Sequence, residues 1–420
     1  MHTGKYVFAQ LVEFLPQKFF QRIVLEYQGD KYVKSFSCWN QMLVMMYGQL
    51  AGCDSLRELV SILEAHNRKS YHLGFGKSGI TRSNLSKANE NRDYHIFEKF
   101  AYKMIDIAQK KRLTREFEIE GRFYAFDSTT IDLCLSLFWW AKFRKTKSGI
   151  KMHTLFDVAT QIPAFIHITE ARVHDSKAMD EIPYEPNAYY IFDRGYFDLA
   201  KLYHINIIKS NFVIRQRGKL KYEVIQGDEL LDGPDNILFD QVIRLTGPLT
   251  KQKYPGKLRR IGFYCHEHLR TFIYLSNNFE IKASEIALLY KKRWQIELFF
   301  KWIKQHLHIK SFWGTSENAV RIQIYIAIIA YCLVAIVESE LKLGRTTFDV
   351  LRILSASLLD KTGIIELFKH DEKANNMDNS IDLQLPLIFS GHFYVVKQII
   401  IRYFFLDQRF QYSHHFGLRQ

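Results

Sequence analysis

The chain has 420 residues, too many for one small core, so two or three domains are expected. A hydrophobic fraction of 47% and a charged fraction of 24% describe an ordinary soluble protein, and 21 Gly with 8 Pro are too few for a long disordered or collagenous region. Fifty-eight Lys and Arg against 44 Asp and Glu leave a net charge of +14, a surplus that points to a polyanionic partner because each neutralised phosphate releases condensed counterions. The five cysteines (Cys38, Cys53, Cys134, Cys265 and Cys332) are odd in number and scattered, which argues against a disulfide framework and for a reducing compartment. No signal-peptide pattern opens the chain, and its longest apolar run, residues 324–337, is short for a bilayer span. A soluble cytoplasmic protein with no membrane partner is expected.

Residues 1–112 read as helical, with apolar residues at helical spacing over 39–51, 55–65 and 94–111 and Ser55 placed as an N-cap. Between them, 81–92 carries a start signal at Thr81, short amides and basic residues. That composition suits a recognition helix in a DNA groove and equally a polar surface helix. From about residue 120 the pattern changes to strands: 123–126 runs into Asp127, 152–158 and 164–169 follow, a short helix fits 176–181, 188–192 runs into Asp193, and 212–215 is another strand. Three successive strands followed by alternation with helices indicate a mixed α/β sheet with helices on its faces. Residues 216–278 alternate short β-rich runs with Gly, Pro, Asp and Asn turns and read as an all-β insertion; helices resume at 282 and continue to 337. Two basic clusters, Lys142 to Lys151 and Lys251 to Arg260, include turn residues and are expected on exposed loops. Of the chain's end, 393–405 fits a strand or a buried helix, and 409–420, with His414 and His415, reads as a polar tail.

Asp127 and Asp193 share a setting, each closing an apolar strand and followed by polar or Gly residues; strand ends are where open α/β sheets bind ligands, although an Asp there also serves as a cap. A third acid lies on the later helix. Tyr290, Arg293, Glu297 and Lys304, at steps of three, four and seven, fall within an arc of about 60°. They border an apolar stripe of Leu289, Ile296, Phe300, Ile303 and Leu307. A helical Arg293–Glu297 ion pair explains two of these residues but not Tyr290 and Lys304 on the same stripe.

This spacing resembles the Tyr-Arg-Glu-Lys signature of bacterial insertion-sequence DDE transposases. The blocks Asp127-Ser128-Thr129-Thr130, Asp193-Arg194-Gly195-Tyr196 and 289–305 are similar to those of the same family, over residues 120 to about 340. The resemblance implies a ribonuclease-H-like fold interrupted by the β-insertion. On that division a helical DNA-binding domain covers 1–112, a catalytic domain covers 120–215 and 279–340, the insertion covers 216–278, and a C-terminal helical region and tail covers 341–420. It also implies a metal-binding catalytic triad of Asp127, Asp193 and Glu297. The ion would be Mg²⁺, with Mn²⁺ able to substitute, because hard oxygen ligands suit ions that organise in-line displacement at a phosphodiester. Arg293, Lys304 and Arg194 would contact phosphates, and Tyr290 the backbone near the cleavage point. Tyr254, flanked by Lys251, Lys253 and Lys257, is the candidate for stacking on a flipped base, since the insertion has no Trp. The implied partners are double-stranded DNA, as terminal inverted repeats and target, and a second protomer. The alternatives are a related nuclease that cuts without joining and an inactive DNA-binding relative.

Other signals carry less. Cys265-His266-Glu267-His268 lacks a second ligand pair at finger spacing. Asp132, Asp157, Asp175 and Asp198 lie near the expected site without the strand-end block. His153 reads as a half-buried structural residue, and Ser128, Thr129 and His174 form no hydrolase arrangement, as no nucleophile elbow is present.

Overall fold

The computed structural model describes residues 4–76, 79–112, 121–144, 147–227, 234–306 and 312–369. Leu307, the segment 393–405, His414 and His415 lie outside them. Seven helices come first: α1 (Val7–Val12), α2 (Gln17–Glu26), α3 (Cys38–Leu50), α4 (Leu56–Ala65), α5 (Asn67–Ser70), α6 (Arg82–Asn91) and α7 (His95–Lys111). Their starts are chemical. The Ser37 hydroxyl accepts from the Asn40 N–H at 3.2 Å while Asn40 Oδ1 accepts from the Ser37 N–H, and the hydroxyls of Ser55 and Thr81 accept from the N–H groups of Glu58 and Asn84. The polar segment expected over 81–92 is therefore a capped helix, with Arg82, Asn84 and Lys87 exposed and Leu85 and Ala88 buried.

The strands β1 (Arg122–Leu133), β2 (Lys142–Arg144), β3 (Lys147–Asp157), β4 (Ile162–Glu170), β5 (Ala188–Phe192), β6 (Asn211–Arg215), β7 (Tyr222–Gln226), β8 (Ile237–Leu245), β9 (Lys257–Cys265) and β10 (Arg270–Ser276) form one sheet. Its order is β2-β3-β1-β5-β6-β10-β9-β8-β7, with β4 paired to β3. The antiparallel meander β1, β3, β4 and the parallel additions β5 on β1 and β6 on β5 make the ribonuclease-H-like arrangement expected from the resemblance. Strands β7 to β10 extend the same sheet, β10 pairing antiparallel with β6. The crossovers hold α8 (Asp175–Ala178) and α9 (Leu199–Ile207); within residues 216–278, read above as all β, lies the six-residue α10 (Pro248–Lys253). Gly247 and Pro248 explain that departure, because proline at the first helical position supplies a helical φ and gives up an N–H that would be unpaired anyway.

The chain closes with α11 (Ala283–Lys292), α12 (Trp294–His306), α13 (Glu317–Leu341), α14 (Thr347–Ser357) and α15 (Ile364–Leu367). Side-chain alternation gives the sheet two apolar faces. Phe123, Ala125, Tyr189 and Ile191 pack on the side of α7, α12 and α13; Tyr124, Phe126, Tyr190 and Phe192 pack on the side of α9. Helix α13 is the one described helix long and apolar enough to cross a membrane, and 94% of its most apolar window is buried inside the protein against α3, α7 and α14.

Candidate active site

The parallel register of β1 and β5 pairs Phe126 with Phe192, so the next residue on each strand, Asp127 and Asp193, emerges side by side at the carboxyl edge. Both follow the parity of Ala125 and Ile191, which puts them on the α12 side of the sheet. The single helix expected to carry the third acid is two, α11 and α12, joined at Arg293, which keeps right-handed helical dihedrals (φ −51°, ψ −30°). The stripe survives that joint. Tyr290 Oη donates to Asp193 Oδ1 at 3.1 Å, Arg293 Nη1 donates to Asp127 Oδ2 at 2.8 Å, and Arg293 Nη2 donates to Glu297 Oε1 at 2.7 Å. One guanidinium thus spans two of the three acids, and the tyrosine beside it holds the third.

The environment is poorly hydrated. The side chains of Arg293, Asp127 and Glu297 are 13%, 20% and 31% exposed. Burial pushes the Asp127 carboxyl up to about 7; Arg293 and the Ser128 N–H, which donates to Asp127 Oδ1 at 2.8 Å, oppose the rise, and the negative charges of Glu297 and Asp193 add to it. Burial disfavours the charge on Arg293, yet Asp127, Tyr290, Glu297 and Asp193 together raise its pKa and hold it protonated. Burial, with Asp193 behind it, pushes the Tyr290 phenol up to about 12, so it remains a donor. Arg293 Nε, buried, has no hydrogen-bond partner among the described residues. Among these groups, the Arg293 guanidinium is the cation, bonded to Asp127 and Glu297 and lying in the field of Asp193.

Of the remaining expected residues, Lys304 lies about two turns beyond Glu297 on α12, its Nζ donating to the Thr130 carbonyl at 2.8 Å, and Arg194 is exposed immediately after Asp193. Tyr254 is a correction. It is 1% exposed, packed edge-on to Tyr203 and Phe212, with its hydroxyl unpartnered among the described residues, and it offers no face to a base. The turn that exposes Lys251, Lys253 and Lys257 points the one aromatic among them inward, where its area adds to the core. Arg259, from the same basic cluster, is also buried and forked onto Asp240 at 2.8 and 2.7 Å. Asp157 and Asp198 cap turns through the N–H groups of Ala159 and Ala200, and Asp132 is exposed further along β1.

On the opposite face of β1 lies a group the sequence did not single out. Ser128 Oγ donates to Asp175 Oδ1 at 2.9 Å, and Lys151 Nζ lies 3.0 Å from that same oxygen while also donating to the Val173 carbonyl. This ties the backbone of the Asp127 strand end to the start of α8. Strand alternation placed Ser128 opposite in facing to Asp127, but nothing local announced Asp175 as its partner.

Residues 119–333 match the family model of the transposase DDE domain, and residues 3–76 match a domain of unknown function. The chain is 38% identical to a Sinorhizobium fredii protein named as the transposase y4zB, over 64% of this chain and 74% of that relative. It is 29% identical to the Synechocystis protein named as the transposase of insertion sequence element IS4SA, over 67% and 79%. It is 26% identical to the Geobacillus stearothermophilus protein named as the transposase of IS5377, over 66% and 75%. A ribonuclease-H-like sheet, acids at its carboxyl edge and a family match over half the length converge: the chain belongs to the DDE transposases of bacterial insertion sequences, enzymes that act on the phosphodiester bonds of DNA.

Proposed function

We propose that Asp127, Asp193 and Glu297 are the catalytic triad and hold the divalent ion that this family generally uses, here Mg²⁺, with Mn²⁺ able to take its place. The observation that carries this reading is the guanidinium of Arg293 bonded at once to Asp127 and Glu297, beside Tyr290 on Asp193. Three carboxylates offer the hard oxygen donors these ions prefer, and Arg293 stands as the cation that keeps them together. When bound, the ion supplies activation of the attacking oxygen and stabilisation of the leaving one.

The chain's own groups do the rest. Tyr290 orients Asp193, and Arg293 neutralises Asp127 and Glu297 and, once released from them, pairs with phosphate. Lys304 and the exposed Arg194 lie along the strand edge where a DNA backbone would run, contributing position rather than sequence reading. Water is the first nucleophile, freeing a 3′-hydroxyl at the element's end; that hydroxyl then attacks the target strand, the cut-and-paste outcome. The helices of residues 1–112 recognise the terminal inverted repeats, with the exposed edge of α6 (Arg82, Asn84, Lys87) toward the groove. Joining two ends calls for two protomers on DNA, working at the nucleoid.

The test is incubation of end-containing duplex with Mg²⁺. Asp127→Ala, Asp193→Ala and Glu297→Ala each abolish cutting and joining while retention on DNA persists. A variant that cuts at the normal rate removes its residue from the triad, and cut ends that never join replace transposition with nuclease activity.

A further inference from the structure

We propose that the tip of the β9–β10 hairpin is a second metal site, formed by Cys265, Glu267 and His268 and suited to Zn²⁺. The ligand atoms of these three residues lie within 4.8 Å of one another, the one such group among the described residues. Cys265 Sγ and His268 Nδ1 are 3.1 Å apart. Bonds of about 2.3 Å to sulfur and about 2.0 Å to nitrogen at a tetrahedral centre place those atoms about 3.5 Å apart, so the pair opens by only a few tenths of an ångström to admit the ion.

The backbone explains why they meet. Cys265 is the last paired residue of β9, opposite Arg270, and the turn between them folds back with the His268 N–H donating to the Cys265 carbonyl at 3.2 Å. Leu269, directly after His268, sits at φ +49°, a left-handed conformation rarely adopted by a branched residue. In place of a second Cys or His pair at finger spacing, Glu267, inside the same turn, supplies a third donor and leaves the fourth position to water. His266 is held away by Asn236 Oδ1 at 2.8 Å. A thiolate and an imidazole select a softer ion than the three carboxylates of the catalytic cluster, so the two sites take different metals. Glu267 also pairs with Lys291 at 3.1 Å, next along α11 from Tyr290, so an occupied tip is fastened to the helix that orients Asp193.

Cys134 is exposed, Cys265 is half-buried, and Cys38, Cys53 and Cys332 are buried, so the full-length Cys134→Ser protein gives a clean background. After treatment with chelator and reductant, titration with Co²⁺ produces a thiolate-to-cobalt charge-transfer band that Zn²⁺ displaces. Cys265→Ser abolishes the band and His268→Ala weakens binding at least about tenfold, whereas Asp193→Ala leaves the band unchanged. Zn²⁺ also slows alkylation of Cys265 at least about tenfold in the unsubstituted hairpin, read by peptide mass. The proposal is overturned if no band forms, if the band survives Cys265→Ser, or if Zn²⁺ leaves the alkylation rate unchanged. Failure of the triad reading leaves every one of these measurements intact.

Discussion

Replacing Arg293 by alanine removes the cation shared by Asp127 and Glu297, and its cost depends on pH in a way the structure specifies. Two charge-assisted hydrogen bonds of 2.8 and 2.7 Å are lost, each worth about 1.5–3 kcal/mol in a poorly hydrated setting. Part is recovered, because Glu297, 31% exposed, rehydrates, and Asp127 escapes by taking up a proton. A net loss of about 2–4 kcal/mol at about pH 8 is expected. Asp127 already has its carboxyl raised to about 7, through burial first. Below that value it is protonated in the parent too and needs no counterion, so the penalty of the substitution shrinks as pH falls from about 8 to about 6. Urea unfolding of the metal-free parent and Arg293→Ala at both pH values measures the difference directly. Saturating Mg²⁺ then stabilises the variant more than the parent, since the ion no longer competes with a guanidinium. A penalty equal at both pH values, or equal stabilisation by Mg²⁺, refutes the view that Arg293 acts as the cluster's counterion.

Lys304→Ala, losing the bond to the Thr130 carbonyl, leaves stability within about 1 kcal/mol but lowers the salt slope of DNA binding by about one; an unchanged slope takes Lys304 off the phosphate path. Burial depresses the buried His153 to about 4, against 6.5 in the unfolded chain. Its stability contribution is therefore complete above pH 6.5 and lost as pH falls toward 4, by about 3 kcal/mol, a decline that His153→Gln flattens and that unfolding midpoints across this range detect. Tyr254→Phe, deleting a buried hydroxyl with no partner, is neutral or stabilising, and Tyr254→Ala costs about 3–5 kcal/mol; a loss above about 1 kcal/mol in the phenylalanine variant means the hydroxyl is bonded after all.

The acids were legible because their placement is a one-dimensional pattern. Apolar strands ending in Asp127 and Asp193, and a helix stripe repeating at three and four residues, are periodicities that survive into three dimensions, even across the joint at Arg293. The helical starts at Ser55 and Thr81 were legible for the same reason, since a cap is local. What was not legible depends on facing at a distance. Tyr254 sits among lysines in sequence, yet a six-residue helix turns it toward Tyr203, a neighbour fifty residues earlier. Arg259 belongs by composition to a basic loop and by register to β9, where Asp240 across the β8 pairing captures it. The Ser128–Asp175–Lys151 group required knowing that α8 lands beside β1. The hairpin-tip donors needed the return of the chain at Leu269, not a ligand spacing.

Helix α13 lies against α3 and α7 on one side and belongs to the same continuous core as the sheet that carries the acids. Residues 1–368 accordingly form one compact unit that holds both the amino-terminal helices and the sheet edge carrying the acids. A machine with a fixed arm behaves as a caliper. If the helices of residues 1–112 hold the terminal repeat and Asp127, Asp193 and Glu297 cut, as proposed, one base pair added between repeat and scissile bond would shift that bond by about 3.4 Å and turn it by about a tenth of a helical turn, away from the acids. On that proposal the length of the element's end, and not its sequence alone, would be gauged by the protein's solid interior.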